Sequence, residues 1–163
     1  MIKRHLTTIL ALFLLCTTTV SAEIETPVVI PGKIYETAVF ASDKFDVPVE
    51  NVIAMILVEN RSFDTKLRSS TRDSGMCQIN DSILKDFKSC GFRNVYNLQE
   101  NVEFGTMRLK WAYDKYQDWH KAYMVYNLGD GRAQRLFRKG TVQSRYSRKC
   151  MEYLKIKNQW KIR

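Results

Sequence analysis

The segment Val49–Val58 constrains the chain most. Val49, Val52, Ile53, Ile56 and Leu57 recur at spacings of three and four, which is the repeat of a helix face and not the alternation of a strand. Glu59 follows at once, three residues after Ile56, four after Met55 and seven after Val52, so the same face carries a carboxyl group. An acid placed there is partly desolvated, and desolvation disfavours its charged form, so its pKa is expected to rise. A carboxylic acid that stays protonated near neutral pH suits general-acid chemistry. Taken alone, one acid at a helix end also reads as a surface residue or a paired structural glutamate.

The 163 residues suffice for one domain with a core, and 45% hydrophobic content with only three prolines is globular. Residues 1–22 read as a secretory signal. Lys3, Arg4 and His5 precede the mostly apolar Leu6–Cys16, and Val20-Ser21-Ala22 offers a small-residue cleavage site. Eleven apolar-rich residues fall short of the roughly 20 that a spanning helix needs, so no stable membrane span is expected after cleavage. Leu14-Leu15 before Cys16 does not fit a lipid-attachment signal. The expected product is exported, to the periplasm or the cell wall.

Without Lys3 and Arg4 the mature chain has 24 basic and 17 acidic residues, a net of +7. The basic residues gather late, among them Arg132, Arg135, Arg138, Lys139, Arg145, Arg148, Lys149, Lys155, Lys157, Lys161 and Arg163. Such a chain suits an anionic surface, whether wall, membrane face or nucleic acid, although a run of this kind is also an ordinary solvated helix face. Export permits disulfides among Cys77, Cys90 and Cys150, with at least one thiol left over in a monomer. Cys77–Cys90 is the preferred pair. Three buried thiols acting as small apolar groups are the alternative.

Residues 23–32, with Pro27 and Pro31, read as an irregular lead-in to a domain over 33–163. Helical spacing runs from Lys33 to Phe45 and is broken at Asp46-Val-Pro48, with Pro48 suiting the first turn of the Glu59 helix. Residues 60–80 are polar and read as loop or short extended structure. Asp81 or Ser82 caps a helix to about Lys88, and Asn97 caps a long one to about Asp118. Trp119–Asn127 fits a further helix stopped at Leu128-Gly129, with two more over Arg132–Arg138 and Val142–Ile156. No repeat or linker interrupts what reads as one mainly α domain with minimal β structure.

Several chemistries find no support. The mature chain holds one histidine, His120, on a helix and expected to be structural. No cysteine sits in a helix-opening nucleophile context, no Cys or His spacing suggests zinc, and no Gly-rich phosphate loop is present. No metal or cofactor is expected. What remains is one acid, Ser74-Gly-Met-Cys-Gln-Ile-Asn80 and Val125-Tyr-Asn-Leu-Gly-Asp-Gly131. Amides and hydroxyls with few charges suit a polar, mostly neutral ligand such as a sugar.

Three blocks, Val58-Glu-Asn60, Gly75-Met-Cys-Gln-Ile-Asn80 and Tyr126-Asn-Leu-Gly-Asp-Gly131, resemble in order and spacing the signatures of soluble-type lytic transglycosylases, relatives of goose-type lysozyme. With Asn101-Val-Glu-Phe-Gly105 and Trp119 to Asn127, the likeness spans roughly residues 35–153. It is nearest to a small subgroup that accompanies conjugation, secretion and pilus machines, with similar domains in phages. The resemblance implies a lysozyme-like fold and a monomer acting on peptidoglycan glycan strands, not nucleic acid, with those machines as further partners. It implies Glu59 as the single acid/base at the MurNAc–GlcNAc bond, giving 1,6-anhydro-muramyl products. Gln78 and Asn80 would bind the sugar or its acetamido group. Tyr126 would position Glu59 or the sugar, Asn127 would support that region, and Ser69 would contact the acetamido group.

The chain departs from the pattern at Asn60, where the family has Ser, at Cys77 in place of Met, and at Leu128 and Asp130 in place of Ala and Pro. Read singly, Gln78 and Asn80 also fit loop-stabilising roles, and Tyr126 fits a core aromatic. Two alternatives stay open: a water-using lysozyme-type muramidase, and a non-catalytic peptidoglycan-binding or assembly protein.

Overall fold

The computed structural model describes residues 27–163, so the expected signal segment lies outside the described residues. Seven α-helices are present among them: α1 (Gly32–Phe45), α2 (Val49–Glu59), α3 (Leu84–Ser89), α4 (Leu98–Tyr116), α5 (Trp119–Leu128), α6 (Asp130–Phe137) and α7 (Arg145–Lys155). Two short sheets complete the fold. Strands β2 (Asp73–Ser74) and β3 (Ile79–Asn80) pair antiparallel, Asp73 opposite Asn80. Strands β1 (Val29–Ile30) and β4 (Lys161–Ile162) pair parallel, so the expected irregular lead-in instead holds a strand tied to the C-terminal segment. No described helix is long and apolar enough to cross a membrane.

Helix α2 is the centre of the core. Asn51 through Leu57 are all buried, so it is enclosed all round and not along one stripe. It packs against α1 and α7, while α4 packs on α1 and α5. Asn51 is buried at its start and exchanges hydrogen bonds with the Tyr123 hydroxyl of α5, at 3.1 and 3.2 Å. Burial of that polar pair is tolerated because each group is satisfied. Glu103 of α4 is also buried, and Lys44 of α1 reaches it at 2.6 Å.

Local chemistry sets the helix ends. Asn97 caps α4 by accepting from the Glu100 N–H, and Asp118 caps α5 by accepting from the Lys121 N–H. Ser144 and Ser147 form a reciprocal capping box on α7. The cap expected at Asp81 or Ser82 lies one residue earlier. Asn80 accepts from the Ser82 N–H and opens a 3₁₀ turn, Asp81–Ile83, that precedes α3. Pro48 stands just before the first turn of α2.

The segment 60–80 is held down from below. Asn101 is fully buried in α4. Its Oδ1 accepts from the Cys77 N–H at 2.7 Å, and its Nδ2 donates to Ser74 O and Val95 O at 3.0 and 2.6 Å. From the solvent side Arg68 grips Asp81 through two nitrogens at 2.8 and 3.1 Å and donates to Ser74 Oγ. Gly105, one turn after Asn101, admits this segment onto α4. A Cβ there would lie 2.8 Å from both Cβ and Sγ of Cys77, and 3.2 Å from the Tyr126 hydroxyl.

The expected Cys77–Cys90 bridge is absent. The three cysteines among the described residues are free; Cys77 is buried against Gly105, whereas Cys90 is exposed at the end of α3. Cys77 is drawn into the core by the Asn101 clamp, so the turn is pinned by amide hydrogen bonds and not by a covalent link.

Replacing Asn101 by Ala strands the buried Cys77 N–H and two carbonyls. The expected cost is about 2–4 kcal/mol of unfolding free energy, read as a lower urea midpoint with an unchanged slope.

Candidate functional site

A cleft of about 180 Å³ opens at the C-terminal end of α2. Glu59, Asp73, Gln78, Asn80, Tyr126 and Asn127 line it, with Ile79, Ile83 and Arg108. Four segments of the chain thus converge. Helix α2 supplies the acid, the β2–β3 turn supplies Asp73, Gln78 and Asn80, and the α4 and α5 helices supply Arg108, Tyr126 and Asn127.

Glu59 sits at the last position of α2 because Asn60 stops the helix with a non-helical backbone, φ −149° and ψ 76°. Asn60 is itself buried and donates to Asp64 O at 2.7 Å and Gly75 O at 3.3 Å, fixing where the chain leaves the acid. Burial pushes the Glu59 carboxyl from 4.5 up to about 7. The Tyr146 hydroxyl, donating to Oε1 at 2.7 Å, pulls it down, and the negative charge of Asp73 pushes it up. The α2 dipole acts in the same direction as burial, because a helix C-terminus disfavours an anion and no basic residue occupies this last turn. Glu59 is therefore poised between its protonated and ionised forms at neutral pH, and only one of its oxygens is bonded within the protein among the described residues.

Asp73 is the opposite case. Burial alone would raise it, but hydrogen bonds from Thr71, Asn80 (2.7 Å) and Ser69 (2.8 Å), and the charge of Arg68, hold it below the usual carboxylate range. One cleft thus contains one carboxyl with a raised pKa and one with a lowered pKa.

Gln78 adopts a left-handed backbone, φ 47°, which is uncommon for a residue with a side chain and marks a constrained turn. Its Nε2 donates to Gly75 O at 2.8 Å, and its Oε1 accepts no hydrogen bond among the described residues, leaving an acceptor on the cleft. Gly75 is left-handed too, φ 78°, and a Cβ there would come within 2.4 Å of Asn101 Nδ2 and 2.6 Å of Val95 O. Only glycine fits.

The other expected residues divide. Asn80 lines the cleft, yet its Nδ2 is spent on Asp73 Oδ1 and Thr71 O, and its Oδ1 caps the 3₁₀ turn. Ser69 does not line the cleft; it bonds Asp73 Oδ2 and the Asp73 N–H and so acts through that aspartate. Tyr126 lines the cleft, but its hydroxyl donates to Cys77 O at 2.7 Å, bracing the turn and not the acid. Asn127 is exposed on the cleft wall. His120 lies away from the cleft and shares a hydrogen bond with Ser147 Oγ at 3.2 Å.

Sequence reasoning missed Tyr146, Asp73 and Arg108. Tyr146 lies on α7, 87 residues from Glu59, and its only sequence signal is an aromatic side chain four residues before Cys150 and seven before Tyr153, on the face α7 buries. Asp73 stands next to a block that drew attention for its amides. Arg108 is the one basic side chain that lines the cleft. Groups of three or more Cys, His, Asp or Glu side chains that could hold a metal do not occur among the described residues.

The chain belongs to the Transglycosylase SLT domain family, which it matches over residues 36–147. Its fold is that of solved lytic transglycosylases. An inactive glutamate-to-glutamine mutant of lytic transglycosylase Slt from Pseudomonas aeruginosa aligns over 76% of this chain and 24% of that one, with a TM-score of 0.63 and 16% identity. The 70 kDa soluble lytic transglycosylase from Escherichia coli aligns over 76% and 21%, with a TM-score of 0.56 and 16% identity. The chain thus spans under a quarter of the length of these proteins. The mainly helical single domain expected from the residues, and the lysozyme-like fold that the resemblance implied, are the ones observed.

Two pH effects follow from the Glu59 environment. Its raised pKa makes the folded state hold a proton that the unfolded state releases, so this group's contribution to stability is complete below pH 4.5 and is lost as pH rises through about 7. Glu59→Gln is therefore expected to be more stable than wild type by ~1–3 kcal/mol at pH 8 and equal to it near pH 4, as measured by denaturant melts across that range. The neighbours are expected to move this pKa in opposite directions: Tyr146→Phe raises it and Asp73→Asn lowers it. NMR titration of the Glu59 carboxyl carbon in each variant checks both signs.

Proposed function

We propose that this protein is a peptidoglycan-cleaving lytic transglycosylase acting on the MurNAc–GlcNAc bond, with Glu59 as acid and then base. The observation that carries the reading is a carboxyl group whose pKa burial raises to about 7, in a cleft lined by amide side chains. The inactive glutamate-to-glutamine mutant of the Pseudomonas aeruginosa relative supports it by analogy.

Glu59 gives its proton to the glycosidic oxygen as the bond to the muramyl anomeric carbon breaks, and the electron pair leaves with the GlcNAc 4-oxygen. The muramyl N-acetyl carbonyl oxygen bonds to the anomeric carbon and carries the positive charge, as in substrate-assisted glycosidases. Ionised Glu59 then takes the proton of the muramyl 6-hydroxyl. That oxygen attacks the same carbon, expels the acetamido oxygen and closes the 1,6-anhydro ring. No water is consumed and Glu59 recovers its proton. Gln78 Oε1 would accept from the acetamido N–H. Tyr146 would hold Glu59 in register, and Tyr126 would hold the turn that carries Gln78. Asn80, Ser69 and Asn127 would act on the shape of that wall, the first two through Asp73.

Asp73 favours a second reading. A negative carboxylate facing the same cleft would stabilise a cationic sugar while water reacts, giving lysozyme-type hydrolysis with Glu59 still the acid. The two chemistries differ by one water in product mass. Export to the periplasm or wall, and service to a conjugation, secretion, pilus or phage machine, belong to the same proposal. The late basic residues named from sequence are all exposed, and only Lys157 makes an ion pair, with Glu50, among the described residues, which suits adhesion to an anionic wall.

Glu59→Gln is expected to fold and to lose wall cleavage by ~100- to 10,000-fold, read as turbidity loss of purified peptidoglycan. Wild-type clearing by the folded variant would remove Glu59 from its role. Mass spectrometry of the released muropeptides is expected to show the anhydro form, one water lighter than the hydrolytic product.

A further inference from the structure

Charge is divided unevenly along this chain. Residues 131–163 hold eleven basic side chains and one acid, Glu152, whereas residues 27–130 hold thirteen basic and fourteen acidic. The positive excess therefore belongs to α6, α7 and the tail that follows them. All eleven are exposed, and of them only Lys157 makes an ion pair among the described residues. Helix α7 sorts this charge by face. Ser147, Cys150 and Tyr153 are buried, and Tyr146 reaches inward to Glu59. Arg145, Arg148, Lys149 and Lys155 are exposed at helical spacing and share that outer face with Glu152 alone. Arg145 and Lys149, four residues apart, repel each other, a cost that an external anion removes. No residue of 131–163 lines the Glu59 cleft, so the basic face and the cleft are separate surfaces.

Charge alone suits any polyanion, an anionic wall included. Two apolar side chains narrow the choice. Val142 is 41% exposed and Ile162 is 51% exposed, one before α7 in the chain and one after it. Each stands among cations: Lys139 and Arg145 lie three residues to either side of Val142, and Lys161 and Arg163 adjoin Ile162. Both are held out by ordered backbone. Gly140, at φ 79°, closes α6, with its N–H on Phe137 O at 2.9 Å and the Thr141 N–H on Leu136 O at 3.0 Å, and Val142 follows that turn. Ile162 lies in β4, paired with Ile30. Apolar tips among Lys and Arg fit the boundary between lipid headgroups and acyl chains. A hydrated sugar polymer or a nucleic-acid backbone offers such tips no apolar phase. The aromatic rings of this segment are buried or half-buried, which leaves none exposed as a stacking platform for bases.

We propose that the outer face of α7, with the Val142 and Ile162 tips, docks on an anionic phospholipid bilayer and holds the protein at a membrane surface. The cations meet lipid phosphates, and the two tips enter the headgroup boundary. The docking surface goes beyond the reading of the Glu59 cleft and does not rest on it.

The test is co-sedimentation of the expected exported chain, residues 23–163, which carries the whole described core. Vesicles contain phosphatidylglycerol and phosphatidylcholine in equal parts, or phosphatidylcholine alone. Binding is expected to the first and not to the second. It is expected to fall as salt shortens the Debye length from ~10 Å at 0.1 M to ~3 Å at 1 M. Each cation near an anionic leaflet raises partitioning about fivefold, so replacing Arg148, Lys149 and Lys155 together by Gln is expected to weaken binding ~100-fold. Replacing Val142 and Ile162 together by Ser is expected to weaken it about tenfold. All five side chains are exposed, so the core stays intact and an unchanged melting temperature confirms folding. Equal binding to both vesicles overturns the proposal, and so does binding that ignores either set of substitutions. Absence of vesicle binding overturns it too, and charge-dependent retention on purified peptidoglycan or duplex DNA then gives the basic face to that polymer.

Discussion

Placing a carboxyl group at the end of a helix enclosed on every side is the constraint on which this structure depends. Helix α2 is buried from Asn51 to Leu57, so its last residue emerges where the core meets the cleft. Burial favours the neutral acid strongly enough to outweigh the Tyr146 hydrogen bond that favours the anion. The net result, about 7, is the range in which a group can both give and take a proton at working pH. The hydrogen bond sets orientation and the desolvation sets protonation, two jobs done by different parts of the fold.

The second wall of the cleft is built on a different principle. The β2–β3 turn buries Met76, Cys77 and Ile79 in the core, yet it contains two left-handed residues, Gly75 and Gln78. Asn101 supplies two hydrogen bonds from beneath, to the Cys77 N–H and Ser74 O, Tyr126 a third, and Gly105 provides the close approach that makes them possible. Loop precision here comes from satisfied buried amides. A disulfide would have limited the unfolded chain, but this network fixes individual backbone atoms in the folded one.

Asp73 and Glu59 show how one cleft sets two carboxyls apart. Asp73 accepts from Ser69, Thr71 and Asn80 and stays charged, while Glu59 accepts from Tyr146 alone and its pKa rises to about 7. Pairs pushed apart in this way mark acid/base assignments. The amides expected to touch sugar are partly occupied in keeping Asp73 ionised, so the turn acts as much on charge as on recognition.

The helices were legible from local signals: the Val49–Val58 spacing, the Asn97 cap and the Leu128-Gly129 stop all act within one or two turns. Glu59 was legible for the same reason, since its place on an apolar face follows from counting along one helix. Gln78, Tyr126 and Asn127 were legible through the order of three motifs, and each lines the cleft. The partner of Glu59 was not. Tyr146 and Tyr126 look alike along the chain, and only the packing of α7 against α2 gives the acid to Tyr146 and leaves Tyr126 to Cys77 O. The thiols were misread because spacing suggests a short loop, while burial of Cys77 beneath α4 is a property of the assembled core. Local periodicity and caps therefore lie in the sequence, whereas desolvation and the pairing of side chains far apart along it arise only when the helices pack.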